Sequence, residues 1–407
     1  MKKQPLTSLD TRLGPWAEYV NTYTRLIEER GYSPQCVREQ TQLISRFTEW
    51  LWRGHTEIRA LDETLVQRFL SRQQKAGRTR HGDAAALYRF LHMLREQGVT
   101  PLQQQPPPSP KQRLITNYKR YLLEERGLAQ ATVINYVAYV DQFLWTRFRQ
   151  GPLSLRQLRA PDVTSFVRQK AHKLKSKCAH LLVTALRSFL RYLQHQGKIT
   201  TDLAVCVPVV ACWSFAVLPK FLPTASVRRM LQRTKRRTPV GRRDYAILLL
   251  LARLGLRACE VVALNLEDID WENARLTVAG KGGHRVQLPL PADVGEAIAQ
   301  YLCQGRPCCS CRRVFIRDRA PRTGFANRRA ICTLVRRALE RAGVDSARKG
   351  AHLLRHSLAT AMIRRGASLD EIGNLLGHQS PETTMIYAKV DLPALKTLAL
   401  PWPGGAR

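Results

Sequence analysis

The chain has 407 residues, a formal net charge of +35 and an apolar fraction of 44%. That length exceeds one ordinary hydrophobic core, and the apolar content excludes a disordered chain. The charge asks for a polyanionic partner, because counterion release drives binding to nucleic acid; charge alone leaves a ribosomal or membrane-surface role open. Of the 66 basic residues, 16 are Lys and 50 are Arg, whose planar fork grips phosphate through two bonds, though a GC-rich genome also favours arginine. No apolar run reaches the roughly 18 residues needed to span a bilayer. The opening Met1-Lys2-Lys3-Gln4-Pro5-Leu6-Thr7 lacks the apolar stretch of a secretion signal. A cytoplasmic protein with no membrane partner is therefore expected.

The first 200 residues contain a diverged repeat. Leu26-Ile27-Glu28-Glu29-Arg30-Gly31 returns as Leu122-Leu123-Glu124-Glu125-Arg126-Gly127, with Val37 and Phe47 matching Val133 and Phe143 at the same offset. Farther on, Arg89-Phe90-Leu91 with Gln97-Gly98 is echoed by Ser188-Phe189-Leu190 with Gln196-Gly197. Each copy reads as helix, turn, helix, short helix, helix, with apolar residues at helical spacing. This gives a first helical module over 13–100, a Pro/Gln-rich linker over 101–110 and a second module over 111–205. A linker over 206–221, punctuated by Pro208 and Pro219, leads to a third domain over 222–400 and a tail over 401–407. The polyproline-like spacer resists helix and collapse alike, which lets the first module move. That module either adds DNA contacts or holds protomers together.

In the third domain an apolar helix over 242–254 ends at Gly255, and Arg257 starts a short one. Residues 270–274 turn between short strands, and strands at 276–278 and 286–288 flank Gly280-Lys281-Gly282-Gly283, which puts Lys281 on a turn tip. Helices follow over 292–300, 327–342, 352–365, 369–376 and 382–389. The fold class expected is mainly α, with a small antiparallel sheet in the third domain. The ten cysteines fit a reducing compartment. Cys303, Cys308, Cys309 and Cys311 invite a zinc reading, but only Cys332 follows where a structural site wants a second pair, so reduced loop cysteines and no metal are expected.

Six residues carry the chemistry: Arg257 in Leu254-Gly255-Leu256-Arg257-Ala258-Cys259-Glu260, Lys281, His352 and Arg355 in His352-Leu353-Leu354-Arg355-His356, His378 after Leu376-Gly377, and Tyr387. Alone, Arg257 is a surface cation, Lys281 a loop lysine, His378 a helix-end histidine and Tyr387 one of 12 tyrosines. Together they set cations that grip a phosphate around a phenol that can attack it. Glu260, three residues after Arg257, reads as the group that orients it.

These ordered motifs resemble the tyrosine recombinase (phage integrase) family. The resemblance covers the third domain and, more loosely, the second helical module, which looks like that family's SAM-like core DNA-binding domain. It implies a site-specific DNA recombinase that cuts and rejoins DNA through a 3′-phosphotyrosyl intermediate, without metal, ATP or other cofactor. Arg257 and Arg355 resemble the phosphate-binding arginines, Lys281 the acid at the departing 5′-oxygen and His352 the proton-transfer partner at the tyrosine. His378 resembles a second phosphate donor and Tyr387 the nucleophile; His356, next to Arg355, reads as a supporting core residue. The implied partner is double-stranded DNA with paired inverted-repeat sites, bound by a dimer per site and a tetramer in synapsis, at a bacterial nucleoid and in service of a mobile element. Two alternatives stand beside this reading: a type IB topoisomerase-like enzyme, and a catalytically silent DNA-binding or architectural protein. The run Arg156, Arg159, Arg168, Lys170, Lys173, Lys175 and Lys177 is expected on the phosphate backbone. Leu392, Leu395 and Leu398 either pack on a neighbouring subunit or fold back.

Overall fold

A computed structural model of the chain describes residues 13–101, 107–149, 151–211, 219–280, 285–347, 349–378 and 380–390. Packing divides it into two units, one of Met1–Gln103 with Val217–Arg407 and one of Gln104–Ala216. Among the described residues the buried apolar side chains form four clusters: one in the first module, one in the second, and a large and a small one in the third domain. Lys281, the tail and Leu392, Leu395 and Leu398 lie outside the described residues. Among the described residues no helix is long and apolar enough to cross a membrane.

The first module comprises α1 (Ala17–Glu29), α2 (Pro34–Arg53), α3 (Glu63–Lys75) and α4 (Asp83–Glu96). Ser33 Oγ accepts from the Cys36 N–H and Asp62 from the Leu65 N–H. These caps satisfy orphan donors where α2 and α3 begin. The second module repeats the order with α5 (Pro110–Arg120), α6 (Gln130–Phe148), α7 (Ala160–Ala171) and α8 (Ser176–His195).

The two cores are built on the same contact. Tyr23 donates to the Ala86 carbonyl (3.3 Å) and meets Phe90 edge-on, with ring centroids 5.7 Å apart. Tyr118 donates to the Ala185 carbonyl (3.4 Å) and meets Phe189 edge-on at 5.1 Å. Sequence matching pairs Leu26 with Leu122, but the inward residues are Ile27 and Leu122. The reason is a π-helical turn at Tyr121–Glu125, where the Arg126 N–H reaches back to the Tyr121 carbonyl (3.0 Å). Such a turn takes up one extra residue without breaking the helix. Tyr118 accordingly follows Tyr23 by 95 positions, whereas Val133 follows Val37 by 96.

In the third domain α9 (Thr224–Gln232) precedes α10 (Pro239–Arg253), whose six residues Ala246 to Leu251 are all buried. Thr238 caps α10 and Pro239 opens it, so the helix begins three residues before the apolar pattern does. After α11 (Ala258–Ala263) come β1 (Ile269–Asp270), β2 (Arg275–Ala279) and β3 (Arg285–Pro289), an antiparallel sheet in the order β1-β2-β3, with Ala279 opposite Arg285. Leu276, Val278 and Leu288 alternate onto the core. Next are α12 (Ala292–Gln304), α13 (Arg328–Arg341), α14 (Ala351–Ile363), α15 (Leu369–Leu376) and α16 (Pro381–Met385), with α10 packed on α12 and α14. The helix expected over 382–389 is broken: α16 stops at Met385 and a 3₁₀ turn resumes at Ala388–Val390.

The cysteine segment is organised by an arginine. Arg306 donates to the carbonyls of Cys311, Arg313 (3.0 Å) and Val314 (3.3 Å). Cys303, Cys308, Cys309 and Cys311 are free thiols, and no metal-holding group of three or more side chains occurs among the described residues.

Gly255 turns the chain out of α10 with φ +61°, and a Cβ there would lie 2.6 Å from Leu376 Cδ2. Gly255→Ala should cost roughly 2 kcal/mol, the strain of a left-handed residue plus a crowded contact. Urea unfolding of the full chain measures it.

Candidate active site

The site is assembled where α10, α11, α14 and α15 end or begin. Arg257 caps α11: its backbone N–H donates to Glu260 Oε2 (2.7 Å) and its Nη1 to Glu260 Oε1 (2.7 Å). One carboxylate, 6% exposed, thus holds both the start of the helix and the guanidinium, leaving the rest of the fork free to point outward.

Arg355 is 3% exposed. It donates through Nη1 to the Gly255 carbonyl (2.7 Å) and through Nη2 to the Leu376 carbonyl at the C-terminus of α15. The negative end of a helix dipole favours a cation there. Burial first, and then the charge of Arg257, bring its pKa down to about 10. It is therefore still a cation at neutral pH. A small cleft beside the two arginines is lined by Glu260, Val278, Gly280, Val286 and Gly377. Gly280 is the last described residue before Lys281, so β2 leads the chain to the cleft's edge.

His352, one turn before Arg355 on α14, is exposed on its outer side. It titrates below an ordinary histidine, because its inner side loses hydration and because Arg355, Arg257 and Arg328 oppose a further positive charge. His378 follows Gly377, which closes α15 at φ +59°. Its Nδ1 lies 2.7 Å from Thr384 Oγ1. Burial, and then Arg355 and Arg257, depress it to about 4.

Tyr387 is 1% exposed, at the break between α16 and the 3₁₀ turn, with its N–H donating to the Thr384 carbonyl (2.9 Å). Its ring packs with Ala359, Ile363, Ile372 and Leu376. Burial pushes its pKa up to about 12, against the pull of Arg355 and Arg257. The same two guanidiniums act on Tyr387, His352 and His378, so five of the six expected residues share one electrostatic neighbourhood; Lys281 lies outside the described residues.

The imidazole at the phenol is His356. Its Nδ1 lies 2.8 Å from Tyr387 Oη, and the two rings are tilted with centroids 5.6 Å apart. His352 stands one turn earlier, its ring 5.6 Å from that of His356. Residue spacing puts both histidines on one face of α14. Residue order points to His352 at the phenol with His356 in support, whereas the chain after Met385 brings Tyr387 Oη to His356.

Comparison with known proteins places these features in context. The family model described as phage integrase family matches residues 220–392, and that described as phage integrase, N-terminal SAM-like domain matches 115–197. The protein named integrase/recombinase y4rA of Sinorhizobium fredii is 46% identical over 396 residues, covering 97% of this chain and 96% of its own. Tyrosine recombinase XerD of Listeria monocytogenes is 29% identical, over 70% of this chain and 96% of its own. The crystal structure of the XerH site-specific recombinase bound to palindromic difH substrate, a post-cleavage complex, aligns with a TM-score of 0.57 at 18% identity. It covers 73% of this chain and 98% of that one, a likeness of fold.

The depressed His378 sets a pH dependence. Its native pKa of about 4 lies below the unfolded value of roughly 6.5, so the unfolded state binds the extra proton between them. The contribution is complete above the unfolded value and is lost as pH falls toward the native one. The melting temperature should decline from pH 7 to pH 5, and His378→Asn should flatten that decline. An unchanged slope in the variant would remove His378 as its source.

Proposed function

This chain belongs to the phage integrase family of tyrosine recombinases, and from that premise we propose that Tyr387 cuts DNA by attacking a backbone phosphodiester. The Tyr387 Oη–P bond forms as the P–O5′ bond breaks, leaving a 3′-phosphotyrosyl link and a free 5′-hydroxyl. A 5′-hydroxyl from a second strand then reverses the step. Because the bond energy is kept in the ester, no ATP is consumed and no metal is needed to drive the exchange.

The observation that carries this reading is a buried phenol, hydrogen-bonded to an imidazole at 2.8 Å, within the field of two fixed guanidiniums. The charge that gathers on the non-bridging oxygens of the attacked phosphate is met by Arg257 and Arg355, which need no reorganisation because Glu260 and two backbone carbonyls already hold them. His378 adds a neutral donor to the same oxygens. The phenolic proton passes to His356 Nδ1, and His352, on the same helical face, hands it toward solvent or the DNA. Lys281 protonates the departing 5′-oxygen.

Exchange between two duplexes cuts four strands and so takes four tyrosines. We assign the active form as a tetramer, with a dimer on each inverted-repeat site. The chain would work in the bacterial cytoplasm, at the nucleoid, moving or resolving a mobile element.

The test is a nicked suicide substrate carrying the inverted repeats that flank the gene. Wild-type chain should give a covalent protein–DNA adduct in excess EDTA, and Tyr387→Phe none. Tight binding without any adduct would leave a DNA-binding role alone, and relaxation of supercoils without synapsis would favour a topoisomerase. His356→Ala should slow adduct formation about 10²-fold, the usual worth of a positioned proton acceptor. Adduct formation at wild-type rates would return the proton transfer to His352.

A further inference from the structure

The first helical module lies outside both matched domains, which begin at residue 115. Its architecture nevertheless duplicates the second module down to the buried Tyr–Ala carbonyl bond and the edge-on Tyr–Phe pair. Beyond the repeated Glu-Glu-Arg-Gly stop, one strongly positive stretch is duplicated. Residues 64–82, which run through α3 into the turn before α4, carry Arg68, Arg72, Lys75, Arg78 and Arg80 and no carboxylate. The equivalent residues 161–179, through α7 into α8, carry Arg168, Lys170, Lys173, Lys175 and Lys177 against a single carboxylate, Asp162. The remainder of the first module, over 13–63 and 83–101, holds eight cations against ten carboxylates. Its net positive charge therefore resides in a single connection.

All five side chains of that connection are exposed. Arg68, Arg72 and Lys75 recur at helical spacing on the face of α3 away from buried Val66 and Phe69. Gly77 and Gly82 shape the turn and face open space. Among the described residues Arg80 alone of the five has an ion-pair partner, Glu39 at 3.3 Å, and Asp83 accepts from the Arg80 backbone N–H (2.8 Å). A surface that only needed solubility would intersperse both signs. A stripe of one sign fits a regularly charged rod such as the duplex backbone.

We propose that the first module is a second DNA-gripping module, whose α3–α4 connection binds the phosphate backbone of duplex DNA in addition to the contacts of the second module. This rests on the recombinase reading for its ligand, and it assigns the module to DNA and not to protomer assembly. The contacts are sequence-independent, so they add reach and affinity without adding base readout.

The experiment uses the full chain and a labelled 60-base-pair linear duplex, with the dissociation constant measured across a salt series. Replacing Arg72, Lys75 and Arg78 together by Gln should lower the slope of log Kd against log salt by roughly 2 to 3 and weaken binding about tenfold or more at 0.15 M salt. A matched triple, Lys173→Gln, Lys175→Gln and Lys177→Gln, reports on the second module. If that control loses slope while the first-module triple keeps the wild-type slope, the proposal is overturned. A wild-type chain with no affinity for the duplex overturns the recombinase reading as well. A lowered slope in the first-module triple, with adduct formation on a suicide substrate retained, supports the proposal independently of the chemistry.

Discussion

The site depends on holding a guanidinium almost entirely out of water. Arg355 is 3% exposed, and the carbonyls of Gly255 and Leu376 together with the nearby charge of Glu260 offset its lost hydration. Those carbonyls lie where α10 and α15 end, and the last turn of a helix has acceptors to spare. This constraint explains why α10 ends in a left-handed glycine and why α15 stops where it does. It also explains why α14 must pass between them. A buried cation with two fixed acceptors cannot follow a flexible substrate, so the phosphate must come to it.

Around that fixed charge the titratable groups separate by environment. Tyr387 is pushed up to about 12 and His378 down to about 4, both chiefly by burial. The site therefore sets a neutral phenol and a neutral imidazole beside two cations. An arriving phosphate changes the balance: its negative charge offsets the arginines, favours protonated histidine and opposes a free phenolate. In the proposed mechanism, direct transfer of the phenolic proton to His356 avoids a free phenolate, which a pKa of about 12 would make rare at neutral pH.

The two helical modules show how a duplicated core diverges. Their buried tyrosines make the same bond, and one π-helical turn absorbs the single-residue difference between them. The outer surfaces differ more, and all ten carboxylates of the first module lie outside residues 64–82. Packing tolerates little variation, whereas solvated charge away from a partner costs almost nothing to replace.

Much of this was legible in the residues alone. Helical spacing gave the modules, period-two alternation gave β2 and β3, and the ordered motifs named the chemistry, because each depends on neighbours along the chain. The pairing of Leu26 with Leu122, the unbroken helix over 382–389 and the imidazole facing Tyr387 were decided elsewhere. Each turns on rotation by a fraction of a helical turn, from a π-turn at Tyr121 or a break after Met385. Residue order offered Arg257, Lys281, His352, Arg355, His378 and Tyr387 as the reacting set and left His356 in a supporting place. Only tertiary packing decided that His356 meets the phenol and that Arg355 is held at two helix ends, since the first joins side chains 31 residues apart and the second reaches a carbonyl 100 residues away.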